Sequence, residues 1–169
     1  FSTLGMLNRT AQLHIYGPAP LESVLRPQLD FFCAESPFEV CIHEINPKEH
    51  ACIYDDPSVS VWTLPLAHRM PCCGFLFQEK GELPNIRKDM IDFYDIPHYM
   101  RASIKQGADY ELPDGTIVPN ARLVFPATPA RSYAYCSDTM FHASLKEYLQ
   151  NVTVLYHEAT FAEADAARA

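Results

Sequence analysis

Glycine is scarce in this sequence, which has 6 Gly and 14 Pro among its 169 residues. None of the glycines forms a G-x-G-x-x-G or Walker-type loop, which argues against nucleotide-cofactor chemistry. The G-x-S-x-G turn that presents the nucleophile of many serine hydrolases is missing as well. The many prolines, by contrast, predict stiff connections between strands.

The sequence also lacks long apolar runs, C-x-x-C pairs and a positive net charge. Its apolar runs, such as VWTLPLA and CCGFLF, are far shorter than a membrane helix requires, and no export signal is visible. The six cysteines are interpreted as reduced thiols of a cytoplasmic protein that does not associate with membranes. A net charge of −8 argues against broad nucleic-acid binding but not against a focused basic patch or a divalent-cation site.

Hydrophobic patterns predict strands separated by helices. We expect strands over 12–17, 38–45, 58–68, 72–80 and 152–161, a buried strand over 131–139 that ends on Asp138, and helices over 20–32 and 140–150. Pro27 is expected to kink the first helix or split it into two. The order of the elements indicates a layered α/β fold, interrupted over 81–120 by a proline-rich stretch with two short helices and an Asp-Gly turn.

Polar side chains mark the ends of predicted strands, namely His68, Asp138 and the pair His157-Glu158. Loops at strand ends converge on one crevice in layered α/β proteins, and an imidazole and a carboxylate from different strands are suitable zinc ligands. The residues alone leave two alternatives open. His68 could be an ordinary solvated histidine, and Asp138 could cap the helix that follows it.

Four short motifs follow one another along the chain. They are His68 before Gly74-Phe75; Lys105, Gly107 and Asp114-Gly115; Ser137-Asp138-Thr139; and His157-Glu158-Ala159-Thr160. Each is weak by itself, but their order and spacing over nearly the whole chain resemble the ribonuclease Z family of the metallo-β-lactamase superfamily.

This resemblance implies an αββα sandwich with a two-zinc site at its strand ends, in an endoribonuclease that removes 3′ trailers from precursor tRNA. It identifies His68 as a ligand of one zinc, Asp138 as the carboxylate that bridges both, and Glu158 as a residue that orients a catalytic histidine. The expected chemistry is phosphodiester hydrolysis by metal-bound hydroxide. Because family members commonly dimerise, a homodimer is expected too.

The stretch over 81–120 is similar to the projecting exosite arm with which the family grips tRNA. The resemblance makes its basic residues candidates for substrate binding: Arg87, Lys88, Arg101 and Lys105. The family's Pro-Gly-Pro-rich turn is replaced here by IPHYM (96–100), which has no glycine. The alternative is an arm that only packs on its own body.

The family's H-x-H-x-D-H motif and its C-terminal histidine ligands are absent from this sequence. The resemblance therefore predicts that residues 1–169 are part of one metallo-β-lactamase-like domain, a central fragment that is inactive alone. Two other functions stay open at this point. One is a phosphodiesterase or other hydrolase of the same superfamily that acts on a small molecule, and the other is a non-catalytic half-domain scaffold.

Overall fold

Strands and short helices alternate along residues 1–159, the part of the chain that the computed structural model describes. In chain order the strands are β1 (Leu13–Gly17), β2 (Val40–Glu44), β3 (Cys52–Asp55), β4 (Val59–Pro65), β5 (Cys73–Glu79), β6 (Tyr110–Glu111), β7 (Ile117–Val118), β8 (Ser132–Cys136) and β9 (Val154–His157). The chain divides into two compact units. The first contains residues 1–78 and 132–159, and the second contains residues 79–131.

The helices are short. They are α1 (Ser2–Met6), α2 (Pro20–Phe32), α3 (Lys88–Phe93), α4 (Arg101–Lys105), α5 (Asn120–Leu123) and α6 (Leu145–Tyr148), with a 3₁₀ turn over His98–Met100. The longest, α2, has 13 residues, whereas a bilayer-spanning helix needs about 20. Accordingly, no helix within residues 1–159 is long and apolar enough to cross a membrane.

The main sheet of the first unit has five strands, in the order β3-β4-β5-β8-β9. β5 runs antiparallel to β8, with Phe75 opposite Tyr135. β8 runs parallel to β9, with Cys136 opposite His157. A mixed sheet combined with helices confirms the predicted α/β class.

The core of the first unit lies between the main sheet and α6. Leu64, Leu76, Ala134 and Cys136 point to this face of the sheet and pack with Leu145 of α6, and each is at most 4% exposed. Side chains alternate between the two faces of a strand, so the neighbours of these residues point away from α6. Burial of each leucine here contributes about 1.5–3 kcal/mol to stability.

β1 and β2 form a separate, parallel sheet of two strands, and α2 connects them along the chain. The expected split of α2 at Pro27 is wrong, because a single helix runs through this residue. Leu21 precedes Pro27 and Leu29 follows it on the same apolar stripe, and Leu29 is only 7% exposed. Packing of this stripe offsets the backbone hydrogen bond that a proline removes.

The predicted helix over 140–150 is also wrong in its extent, since the helical conformation there is confined to α6. Met140 instead forms an antiparallel bridge with Ala67, and its N–H donates to the Ala67 carbonyl at 2.8 Å. Phe141, four residues before Leu145 and thus on the apolar side of that predicted helix, is 74% exposed. A long-range backbone contact thus overrides the local helical pattern.

The second unit, residues 79–131, includes the predicted 81–120 stretch and has its own core. Ile104 and Leu123 are fully buried there, together with Ile96, Tyr110 and Val118. α3 and the helical segment from His98 to Lys105 lie where two short helices were expected. The Asp-Gly turn is confirmed between β6 and β7, where the Asp114 carboxylate accepts a hydrogen bond from Thr116 N–H at 2.9 Å.

Gly74→Ala is expected to destabilise the main sheet. A Cβ at this position would lie 2.4 Å from the backbone oxygen of Tyr135 on β8, and no side-chain rotation can relieve a backbone contact. Overpacking of this kind costs about 1–3 kcal/mol, which lowers the midpoint of urea unfolding. Gly81→Ala is the control, because a Cβ there would meet none of the described atoms within 4 Å. Equal midpoints for the two variants would contradict this account of the β5–β8 contact.

Candidate functional site

The ends of several strands meet at one edge of the main sheet. β8 and β9 are parallel, so they end side by side at Cys136 and His157. β5 is antiparallel to β8 and therefore begins where β8 ends. β4 leads to the same edge, because Ala67, just beyond β4, forms a bridge with Met140, just beyond β8. The predicted site residues follow these strand ends: His68, Asp138 and Glu158.

Thr139 joins the end of β4 to the end of β8. Its hydroxyl oxygen accepts a hydrogen bond from Ala67 N–H at 3.1 Å, and Met140 N–H donates to the Ala67 carbonyl at 2.8 Å. Thr139 is 5% exposed, so these bonds are shielded from water. His68 follows Ala67 and Asp138 precedes Thr139, so these bonds place both predicted ligands next to the same backbone junction.

Asp138 occupies a tight turn at the end of β8. Its φ of +53° lies in the left-handed region, which Asp and Asn tolerate better than most residues. The alternative that Asp138 caps the following helix is wrong. That helix, α6, has Ser144 at its N-cap and no side-chain capping bond.

Glu158 stabilises the turn that carries Asp138. Its carboxylate accepts a hydrogen bond from Thr139 N–H, and its own N–H donates to the Cys136 carbonyl at 3.1 Å. Next to it, His157 Nδ1–H donates to the Glu158 carbonyl at 2.7 Å. The Glu158 carboxylate therefore binds the backbone next to Asp138. Its expected role in orienting a catalytic histidine stays a prediction.

Cys72, the residue before β5, also belongs to this edge. Its thiol donates to the Asp138 carbonyl at 3.4 Å. Burial, followed by the nearby carboxylates of Asp138 and Glu158, raises the pKa of the Cys72 thiol. The sequence analysis assigned no site role to this residue, and the structure shows that two acidic side chains are close enough for their field to act on it.

His68 is exposed, and its ring makes a local contact. Nδ1 accepts a hydrogen bond from Met70 N–H at 3.3 Å, which places the proton of the neutral ring on Nε2. A metal bound to Nδ1 would replace the hydrogen bond from Met70 N–H. A metal bound to Nε2 requires the ring proton to move from Nε2 to Nδ1. Either nitrogen therefore requires only a local change at His68 to become a ligand.

The residues at this edge fit part of a zinc site. An imidazole and a carboxylate are suitable donors for zinc, and His68 and Asp138 flank one junction. A catalytic zinc takes three protein ligands, however, and residues 1–159 contain no group of three or more His, Cys, Asp or Glu that could hold a metal. The remaining ligands of a zinc at this edge would therefore come from outside residues 1–159.

The predicted substrate-binding residues lie in the second unit, and Arg87 and Lys88 differ in their contacts. Arg87 Nη2 pairs with the Asp89 carboxylate at 2.6 Å, and its guanidinium lies 5.9 Å from the centre of the Phe125 ring. Lys88 is exposed and makes no hydrogen bond or ion pair with another residue in the described part of the chain. Lys88 is thus the one of these two that needs to break no contact to bind an anion.

Arg101 and Lys105 lie on α4 of the same unit. Arg101 Nη2 donates to the Ile96 carbonyl at 3.5 Å, while its buried Nε has no partner among the described residues. Lys105 Nζ donates to the Asn85 side-chain oxygen at 3.3 Å. Both side chains make local contacts, and their expected role in substrate binding stays a prediction.

The raised pKa of Cys72 predicts slow alkylation of metal-free protein by iodoacetamide at neutral pH. In a Cys73→Ala background, Asp138→Asn or Glu158→Gln should speed the reaction near pH 8, because loss of a negative charge lowers the thiol pKa and increases the thiolate fraction. Mass spectrometry of the Cys72 peptide measures the rate. Glu22→Gln, on α2, serves as the control and should leave the alkylation rate of Cys72 unchanged. An unchanged alkylation rate in Asp138→Asn would contradict the effect of the Asp138 carboxylate on Cys72.

Comparison with curated proteins places the chain among proteins named ribonuclease Z. The chain is 51% identical to the ribonuclease Z of Parabacteroides distasonis over 168 residues, which are 99% of this chain and 55% of that protein. It is 52% identical to the ribonuclease Z of Phocaeicola vulgatus, with 99% and 54% covered. It is 36% identical to that of Cytophaga hutchinsonii over 173 residues, again with 99% and 54% covered.

No family model matches the chain. The chain spans about half the length of the curated relatives it matches. An identity near 50% over 99% of the chain nevertheless confirms the resemblance that the four motifs indicated. The chain is therefore similar to proteins named ribonuclease Z along almost its whole length.

Proposed function

We propose that this chain is part of a zinc-dependent endoribonuclease that removes 3′ trailers from precursor tRNA. The observation that supports this most strongly is the junction at the sheet edge, where His68 and Asp138 flank the Ala67–Thr139 hydrogen bond. The relatives' name, ribonuclease Z, points to the same activity. In this proposal the first unit belongs to a metallo-β-lactamase αββα sandwich, and the active enzyme requires polypeptide beyond residues 1–169.

His68 and Asp138 would supply an imidazole and a carboxylate to a pair of zinc ions. Such a pair supplies Lewis-acid stabilisation of the charge that develops on a phosphodiester during hydrolysis. The left-handed turn would orient the Asp138 side chain towards the zinc ions, and the hydrogen bonds of Thr139 and Glu158 stabilise that turn. These neighbours act as positioning residues, since they bond the backbone on either side of the ligands.

The second unit would serve as the arm that binds tRNA. It carries seven Lys or Arg and eight Asp or Glu, so the attraction to phosphate must come from individual side chains rather than from net charge. Lys88 is the best placed of the four candidates, since it is exposed and makes no hydrogen bond or ion pair within residues 1–159.

Two further parts of the proposal rest on the family resemblance. The complete enzyme would be a homodimer, in which the arm of one subunit serves the active site of the other. It would act in the cytoplasm, where precursor tRNA is processed and where the six free thiols of this chain stay reduced.

Asp138→Asn tests the proposed metal ligand. The protein to use is a complete ribonuclease Z in which residues 1–169 replace the aligned 168 residues of the Parabacteroides distasonis relative. Asn accepts the positive φ but lacks the charge, so the turn should persist while zinc binding weakens. Changes in residues that only orient a metal ligand lower metal affinity or activity by about 10–100-fold. Loss of a ligand itself should therefore lower the rate of precursor tRNA cleavage by more than about 100-fold.

Asp95→Asn is the matched control, because Asp95 is another exposed aspartate with a positive φ, of +50°. It should retain the zinc content, measured by mass spectrometry of the purified protein, and the rate of precursor tRNA cleavage. Full zinc content and full cleavage in Asp138→Asn would refute the assignment of this carboxylate.

Lys88→Ala tests the proposed tRNA contact in the same complete enzyme. Loss of one phosphate contact should lower the association constant for tRNA. The negative slope of the logarithm of this constant against the logarithm of the salt concentration should become shallower by about 0.9. Arg87→Ala should change the slope less, because Arg87 is already paired with Asp89 at 2.6 Å. Filter binding between about 50 and 200 mM salt measures both slopes, and an unchanged slope in Lys88→Ala would exclude Lys88 from the interface.

A further inference from the structure

The peptide bond between Asp138 and Thr139 is held on both sides by side chains. On one side, the Cys72 thiol donates to the Asp138 carbonyl at 3.4 Å. On the other side, the Glu158 carboxylate accepts a hydrogen bond from Thr139 N–H. A trans peptide directs its C=O and N–H groups in opposite directions, so the two side chains hold one peptide plane from opposite sides.

These two side chains belong to segments next to the strands that flank β8. In the main sheet, β8 lies between β5 and β9. Cys72 is the residue before β5, and Glu158 is the residue after β9. The pairing of β8 with β9 ends at Cys136, and at Asp138 the backbone turns into the left-handed region with a φ of +53°. Side chains beside the neighbouring strands thus bind the first peptide beyond this turn.

The orientation of this peptide determines the direction of the Asp138 side chain. The plane can rotate about the Cα–C bond of Asp138, and this rotation is the ψ angle of that residue. A left-handed φ on a residue other than glycine persists only where the surrounding structure determines it. Hydrogen bonds to both polar groups of the peptide restrict ψ, and the Cα–Cβ bond of Asp138 then has a fixed direction relative to β5 and β9.

We propose that Cys72 is a positioning residue of the candidate metal site. Its thiol holds the peptide that follows Asp138 and so keeps the carboxylate of that residue directed at the metal. The inference rests on the proposed function for the role of Asp138 as a ligand. The effect of Cys72 on the peptide itself requires neither metal nor RNA, so it can be measured separately.

Cys72→Ala and Cys72→Ser test this role in the complete enzyme that carries this chain. Alanine removes the hydrogen-bond donor, whereas serine keeps a donor at the same position of the side chain. Residues that orient a metal ligand contribute about 10–100-fold to metal affinity or activity, and a thiol is a weak donor, so Cys72→Ala should lower the affinity for zinc by about tenfold. Cys72→Ser should lower this affinity less. Competition with a chromophoric chelator measures both affinities.

Cys52→Ala is the matched control. The Cys52 thiol also donates to a backbone carbonyl, that of Tyr54 at 3.3 Å, but it lies on β3, at the opposite end of the strand order from β9. This variant should keep the zinc affinity of the unsubstituted enzyme. An unchanged affinity in Cys72→Ala would overturn the proposal. Equal losses in Cys72→Ala and Cys72→Ser would also overturn it, because the effect would then come from packing and not from the hydrogen bond.

Exchange of the Thr139 amide hydrogen gives a second measurement, on the metal-free complete enzyme. Without the bond from Cys72 the peptide plane can tilt, which weakens the bond from Thr139 N–H to the Glu158 carboxylate. NMR should therefore show faster exchange of this amide in Cys72→Ala than in Cys72→Ser or Cys52→Ala. The same exchange rate in all three variants would contradict the effect of Cys72 on the peptide.

Asp138→Asn separates failure of this inference from failure of the proposed function. Loss of zinc in Asp138→Asn, with full zinc affinity in Cys72→Ala, would refute the positioning role alone. Full zinc content in Asp138→Asn would refute the ligand that Cys72 is proposed to position. Loss in both variants, with the smaller loss in Cys72→Ala and recovery in Cys72→Ser, is the result that the proposal predicts.

Discussion

The hydrogen bonds of Thr139 determine the geometry of the candidate site. Its hydroxyl binds the backbone beyond β4, and its N–H binds the carboxylate beyond β9, so one buried residue links three strand ends. Together with the Met140 N–H bond to the Ala67 carbonyl, these bonds fix the relation between the loops that carry His68 and Asp138. A buried hydrogen bond contributes only about 1 kcal/mol to stability, but a polar group left unpaired there costs about 1–3 kcal/mol. The junction therefore fixes the positions of the two loops while adding little to the free energy of unfolding.

This junction concentrates negative charge at one edge of the sheet. Burial, followed by the carboxylates of Asp138 and Glu158, raises the pKa of the Cys72 thiol, so both carboxylates lie near it. Two carboxylates near one point repel each other unless a cation lies between or beside them. The negative charge at this edge would suit the cations of the proposed zinc site.

Local patterns predicted the α/β class and most strands of the main sheet, but they missed β3 and the contacts between distant segments. The alternation in 38–45 and 72–80 led directly to β2 and β5. The helix predicted over 140–150 failed because Met140 pairs with Ala67, far away in sequence. The motifs indicated His68, Asp138 and Glu158 as candidates. The bond between Glu158 and Thr139 and the approach of Cys72 depend on tertiary structure. The pattern of β8 predicted a buried strand, but it could not show that Tyr133 and Tyr135 face solvent in this chain.

The central claim is that His68 and Asp138 bind one metal cluster, and anomalous scattering at the zinc edge tests it most directly. Crystals of the complete enzyme that carries this chain should show zinc peaks at the edge formed by β4, β5, β8 and β9. The account predicts a peak about 2.0–2.2 Å from an Asp138 carboxylate oxygen and a peak about 2.0–2.1 Å from a His68 ring nitrogen, in the same cluster. Zinc peaks bound by other residues, with both of these side chains outside coordination distance, would contradict it.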